Sequence, residues 1–249
     1  MIWETCEGAT YIQPISGTAW RLVESQEQIA TLGYVDTLEE QALLEELLDS
    51  VKPPYPAHCD HYHYLLKTPF RYPPLKWGSR FGRAHEPGIF YAGCNANTTL
   101  AEAAYYRFVF WYSISNSPIK NTITSAHTLF SVNYATERGI RLHTEPFTQY
   151  QTQLTHPQHY SMTQQLGSDM RSAGVQAFEY QSARDPQQKH CVGLFIPSAL
   201  AQKKPAEMTQ WLCELSATEV AFKQVGQKEI IRFALDTFCV NDRLQMPAV

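Results

Sequence analysis

The chain has 249 residues, of which 44% are apolar and 18% charged, with a formal charge of −4. That is apolar material for one sizeable core in an ordinary globular protein. With no Lys/Arg block, it lacks the footprint for nucleic acid or an anionic membrane, and neither is expected as a direct partner. The opening "MIWETCEGAT" has no basic start and no apolar core, so no signal peptide is expected, and the apolar run "FVFWY" is too short to span a bilayer. Six cysteines are scattered without a CxxC pair, which suits reduced thiols and a cytoplasmic location.

In chain order, the first clear element is a helix over 36–51, "DTLEEQALLEELLDSV". Thr37 and Glu40 have capping-box spacing, and Leu44, Leu47, Leu48 and Val51 form an apolar stripe opposite Glu39, Glu46 and Asp49. Such a stripe is expected to pack on its own domain rather than on a partner. The prolines of "KPPYP" stop the helix, and they suggest a boundary between an N-terminal helical extension, 1–62, and a main domain, 63–249. "HCDHYH" follows, with His58, Cys59, Asp60, His61 and His63. These are metal-ligating types, but five in one hexapeptide cannot converge on one ion and no second pair lies elsewhere, so no metal is expected.

Further helices are expected from about Thr98 through "LAEAAYYRFVFWY" and over "SMTQQLGSDMRSAG", where Ser161 and Gln164 have capping-box spacing and Gly174 follows the end. Alternation puts Phe130, Val132 and Tyr134 on one strand face, and Val192, Leu194 and Ile196 on another. "EVAFKQVGQKEIIRFAL" reads as a closing hairpin around Gly226. Strands in pairs, mixed with helices and lacking a βαβ rhythm, predict an α+β fold with mainly antiparallel sheets.

Chemistry-bearing residues concentrate in "PFRYPPLKWGSRFGRAHEPGIFYAG", residues 69–93, which gathers Arg71, Arg80 and Arg83 among aromatics and glycines. No GxGxxG or GxxxxGK[ST] loop is present, so a nucleotide site would rely on side chains, and arginine pairs bidentately with phosphate oxygens. Glu102, flanked by Leu100, Ala101, Ala103 and Ala104, lies either on an exposed stripe or in a pocket. In "FEYQSARDP", Ser182 and Arg184 either hold a phosphate or open a turn; no GxSxG elbow supports a serine hydrolase.

The order "FRYPPL", "GSRFG", "GIFYAG", "TTLAEAAYYR", "YQSAR" resembles the RES family, named for an arginine, a glutamate and a serine. Tyr91 precedes Glu102 by eleven residues and Arg80 precedes it by twenty-two, spacing similar to the family's. "GSRFG" replaces the more usual double glycine and tryptophan. The family's first arginine has two candidates: Arg71, slightly preferred for its closeness to the glycine turn, and Arg21 in "AWRLVE". If it is Arg21, residues 24–68 are an insertion within the domain.

The resemblance implies a fold similar to ADP-ribosyltransferases and an enzyme that degrades NAD+ as substrate, with inorganic phosphate as co-substrate and no cofactor. It also implies a toxin restrained by an Xre-like helix-turn-helix antitoxin. Within it, Glu102, Arg80 and Tyr91 are the catalytic candidates, and Arg71 (or Arg21) and Ser182 the substrate-binding ones. Transfer of ADP-ribose to a protein, and a non-catalytic partner-binding module, are the alternatives; homo-oligomerisation stays open.

Overall fold

A computed structural model describes residues 1–25, 34–57, 59–74, 76–115 and 120–247. Its main element is a large, mostly antiparallel sheet. The strands are β1 (Gln13–Glu24), β2 (Phe90–Gly93), β3 (Thr122–Arg141), β4 (Ala177–Gln181), β5 (His190–Leu194), β6 (Glu207–Ser216), β7 (Glu219–Gln224) and β8 (Ile231–Ala234), with a small hairpin of β9 (Cys239–Val240) and β10 (Arg243–Leu244). Their order is β1-β2-β5-β4-β3-β6-β7-β8, and β1 pairs with β3 as well, so the first five strands close into a ring. One pairing, β3 with β4, is parallel. The chain is therefore α+β, as its strand pairs imply.

The strand β3 joins two parts. One edge runs along β1 from Gly139 to His127, while the other carries β6 over Thr122–Ser131 and β4 over Gly139–Arg141. Phe130, Val132 and Tyr134 point together into an apolar cluster with Val192, Leu194, Phe90 and Ala177. The expected closing hairpin is β7 and β8, paired antiparallel, with Gly226 at φ +84° in the turn between them.

The helices are α1 (Ile2–Thr5), α2 (Leu38–Ser50), α3 (Tyr64–Arg71), α4 (Ala96–Tyr112), α5 (Gln151–Leu154) and α6 (Ser161–Ser172). In α2 both capping-box hydrogen bonds form: Thr37 Oγ1 accepts from the Glu40 amide and the Glu40 carboxylate accepts from the Thr37 amide. α6 starts at Ser161, with Tyr160 rather than Ser161 in the capping position, and Gly174 follows its end at φ +75°. No helix among the described residues is long and apolar enough to cross a membrane.

Two expectations need correction. Residues 1–62 are not simply a helical extension, because β1 lies within them and is hydrogen-bonded along β3. β1 eludes an alternation test because only Ile15 and Ala19 are buried along it, the remaining positions being half-buried or exposed. The expected stripe of α2 is also not packed away on the body: Gln41 is the helix's one buried residue, Leu44 is half-buried, and Leu47, Leu48 and Val51 are 55%, 41% and 80% exposed, with Leu43 beside them at 56%. Within "HCDHYH", His58 lies outside the described residues; Cys59 is buried, and His63 Nδ1 accepts from the Leu65 amide to cap α3. Among the described residues no three His, Cys, Asp or Glu side chains gather as a metal site.

Candidate active site

A cleft of about 710 Å³ opens between β1, β2, α3, α4 and the segment 72–80. Clefts that enclose small-molecule ligands measure about 300–1,000 Å³. Its wall from α4 is a helical stripe of Thr99, Glu102, Ala103, Tyr106 and Val109. The opposite side of α4, with Leu100, Ala104, Tyr105 and Phe108, packs against β6 and β7. Glu102 thus has apolar neighbours because one side of its helix faces a core, while its own side faces the cleft.

The helix is placed by its start. Asn95 Oδ1 accepts from the Thr98 amide at 2.9 Å, and Thr98 Oγ1 donates to Asp185 Oδ2 at 2.7 Å. Asp185 belongs to the turn after β4, so this buried bond ties that turn to α4. Ser182, at the start of the same turn, accepts from the amides of Arg184 (3.1 Å) and Asp185 (2.9 Å) and donates its proton to Glu102 Oε1 at 2.6 Å. With that proton given to Glu102, Ser182 holds the carboxylate in place, since a hydroxyl has one proton to give. Cys191, from β5, offers its thiol to the same oxygen at 3.9 Å, and burial raises that thiol's pKa well above its ordinary value.

Arg80 comes from a tight loop in which Ser79 bridges Gly82 and Gly78 has φ +83°. Its Nη1 donates to the carbonyls of Leu154 (3.1 Å) and His156 (2.8 Å), and its guanidinium lies 4.6 Å from the Tyr160 ring centre. Arg184 is held by the same stretch, donating to Pro157 O at 2.7 Å and lying 3.5 Å from the Tyr105 ring centre. The stretch 154–157 therefore supplies carbonyls that fix two arginines.

Tyr91, on β2, takes the Phe81 amide proton at its hydroxyl (3.0 Å) and pairs with Ser79 Oγ at 3.0 Å. Burial pushes its phenol up to about 12, so it is neutral near pH 7. Its carbonyl accepts from Arg21 Nη1 at 2.8 Å. Arg21, on β1, lies over Phe90; burial lowers its pKa to about 10, and its Nε is buried without a hydrogen-bond partner. Among the described residues, none of Arg21, Arg80 and Arg184 is ion-paired with a carboxylate.

The structure thus brings Arg21, Arg80, Tyr91, Glu102 and Ser182 to one place and leaves Arg71 out. Arg71 ends α3 facing the other way: it pairs with Asp49 Oδ1 at 3.0 Å, donates to Pro53 O, and stacks 4.3 Å from the Tyr55 ring. Its nearness to the glycine turn in sequence is not nearness in space: the cleft is lined by Arg21 and not by Arg71. Sequence reading left Asp185, Thr98 and Cys191 unassigned; "SARD" held the only signal for Asp185.

A model of the RES domain matches residues 53–216, more than half of the chain. No curated protein matches it. The match covers Arg71, Arg80, Tyr91, Glu102 and Ser182, while Arg21 lies before it, on β1. By that match the chain belongs to the RES domain family.

Proposed function

We propose that this protein cleaves the nicotinamide–ribose bond of NAD+, with inorganic phosphate as acceptor, and acts as the toxin of a toxin–antitoxin pair. One observation carries the reading: Glu102, held at 2.6 Å by Ser182, lines a cleft with three guanidinium groups that have no carboxylate partner among the described residues. A pyrophosphate would supply the missing anion, and the buried, unpartnered Nε of Arg21 is suited to meet it.

As the C1″–N bond lengthens, its electron pair leaves with nicotinamide and the ribose becomes oxocarbenium-like. The Glu102 carboxylate stabilises that charge, and the Ser182 hydrogen bond keeps it aimed. Tyr91 offers an aromatic face to the cationic pyridinium. Arg21, Arg80 and Arg184 hold the pyrophosphate or the incoming phosphate, whose oxygen bonds to C1″ and gives ADP-ribose 1″-phosphate. A fold similar to ADP-ribosyltransferases, no cofactor beyond the two substrates, and an Xre-like antitoxin restraining the enzyme in the cytoplasm belong to the same reading.

Purified protein incubated with NAD+ should release nicotinamide, faster with phosphate present. Glu102→Gln should slow release by about a hundredfold or more, the usual effect of losing one transition-state electrostatic partner. Ser182→Ala, acting through Glu102, should lower kcat more than it raises KM for NAD+. Undiminished release by Glu102→Gln would reject the reading, and radiolabelled protein in place of ADP-ribose 1″-phosphate would redirect it to protein ADP-ribosylation.

A further inference from the structure

Away from the cleft, α2 departs from the way surface helices are usually built. An amphipathic helix ordinarily turns its apolar stripe to the core, yet Leu43, Leu47 and Val51, at i, i+4 and i+8, project from one side into solvent. The helix is nevertheless well specified. Its N-terminus has a complete capping box, and its C-terminal end is pinned where Arg71 Nη1 meets Asp49 at 3.0 Å. Ordering a helix while leaving its leucines wet gains little for the isolated chain, since most helix stability comes from burying such a face.

Charge narrows what could cover it. Glu39, Glu40, Glu45, Glu46 and Asp49 give α2 five carboxylates and no cation. The whole chain is at −4, so the residues outside α2 are together at +1. The acidity of the molecule is thus concentrated on this helix, and Glu39 and Glu46, at i−4 and i+3 from Leu43, border the exposed side chains. A second copy of the chain would bring five carboxylates against five, a like-charge juxtaposition that disfavours pairing.

We propose that α2 is a docking helix for a protein that presents an apolar groove rimmed by lysine or arginine. Leu43, Leu47 and Val51 enter the groove, in the manner of helix-in-groove recognition, while the flanking carboxylates meet the basic rim. This surface is separate from the cleft, and the proposal does not depend on the reaction assigned there.

The test uses the full chain and a fluorescein-labelled amphipathic peptide of leucine and lysine as a stand-in for the basic apolar surface, read by anisotropy. Binding is expected, weakened at least about tenfold between low and moderate salt, and absent for a leucine–glutamate peptide of the same pattern. Leu43→Gln/Leu47→Gln/Val51→Gln should weaken binding about tenfold or more while changing the melting temperature little, because each of these side chains is more than half exposed in the free protein. Glu39→Gln/Glu45→Gln/Glu46→Gln should remove most of the salt dependence. The proposal is overturned by equal binding of the leucine variant or by equal binding of the leucine–glutamate peptide. A concentration-dependent dimer that the leucine variant abolishes would also overturn it, making the occupant a second copy.

Discussion

Arg71 is saturated inside the fold, between Asp49, the Pro53 carbonyl and the Tyr55 ring, whereas Arg21 has a buried Nε with no hydrogen-bond partner among the described residues. The two should respond oppositely to truncation. Arg71→Ala should lower the melting temperature by loosening α2 and leave the rate of nicotinamide release as it was. Arg21→Ala should cut kcat/KM for NAD+ by about tenfold or more, the scale of losing a charge-assisted contact to substrate. Parallel melts and rate measurements decide it; a larger loss of activity in Arg71→Ala would reverse the assignment. Arg80, Tyr91, Glu102 and Ser182 were legible because each sits in a short motif whose order along the chain survives folding. The choice between Arg21 and Arg71 was not, because it depends on which face of a helix or strand meets the cleft.

Among the elements, α6 does more than cover the core. Gln164 donates to the carbonyls of Trp77 and Ser79, gripping the loop that carries Arg80. One turn on, Gly167 lets the helix approach so closely that a Cβ there would lie 1.8 Å from the Phe81 carbonyl oxygen. Gly167→Ala must therefore push helix and loop apart, at a cost of about 1–3 kcal/mol for overpacking. Displacing Arg80 by even about 1 Å should slow nicotinamide release by up to about a hundredfold. Thermal melts and single-turnover rates on this variant check both; an unchanged rate would mean that the loop does not position Arg80 for the reaction. The helices α2, α4 and α6 were legible in the sequence, α2 down to its Thr37–Glu40 capping box, whereas α1, α3 and α5 were too short or proline-broken to show a period. What escaped was which side of each they bury. Periodicity assumes one core and one solvent side, whereas α4 lies between a core and a cleft, and α2 buries none of its leucines fully.

For the molecule as a whole, pH sensitivity should come partly from His127 on β3. It is buried, hydrogen-bonded to Ser125 Oγ at 2.9 Å, and its pKa is lowered to about 4, first by burial and then by Arg107. The unfolded chain takes up that proton near 6.5 and the folded chain only near 4, so the unfolded state binds more protons between those values. Stability should be full above about 6.5 and decline as pH falls toward 4. Urea titrations across that window should show a shallower decline for His127→Gln; an identical slope would exclude His127 as the source. At this scale the α+β class and antiparallel pairing could be read from paired alternating runs. The closed ring could not, because closure depends on β1, whose burial pattern hardly alternates.

The strand β3 has one further consequence. Proteins divided into separable cooperative units can lose one and keep the rest. Here a single twenty-residue strand carries hydrogen bonds to β1, β4 and β6, so the ring and the outer strands have a common backbone and no seam between them. A protease that catches the chain open should find both parts open together, and any pool of intact protein should be uniformly competent rather than a mixture of half-formed species.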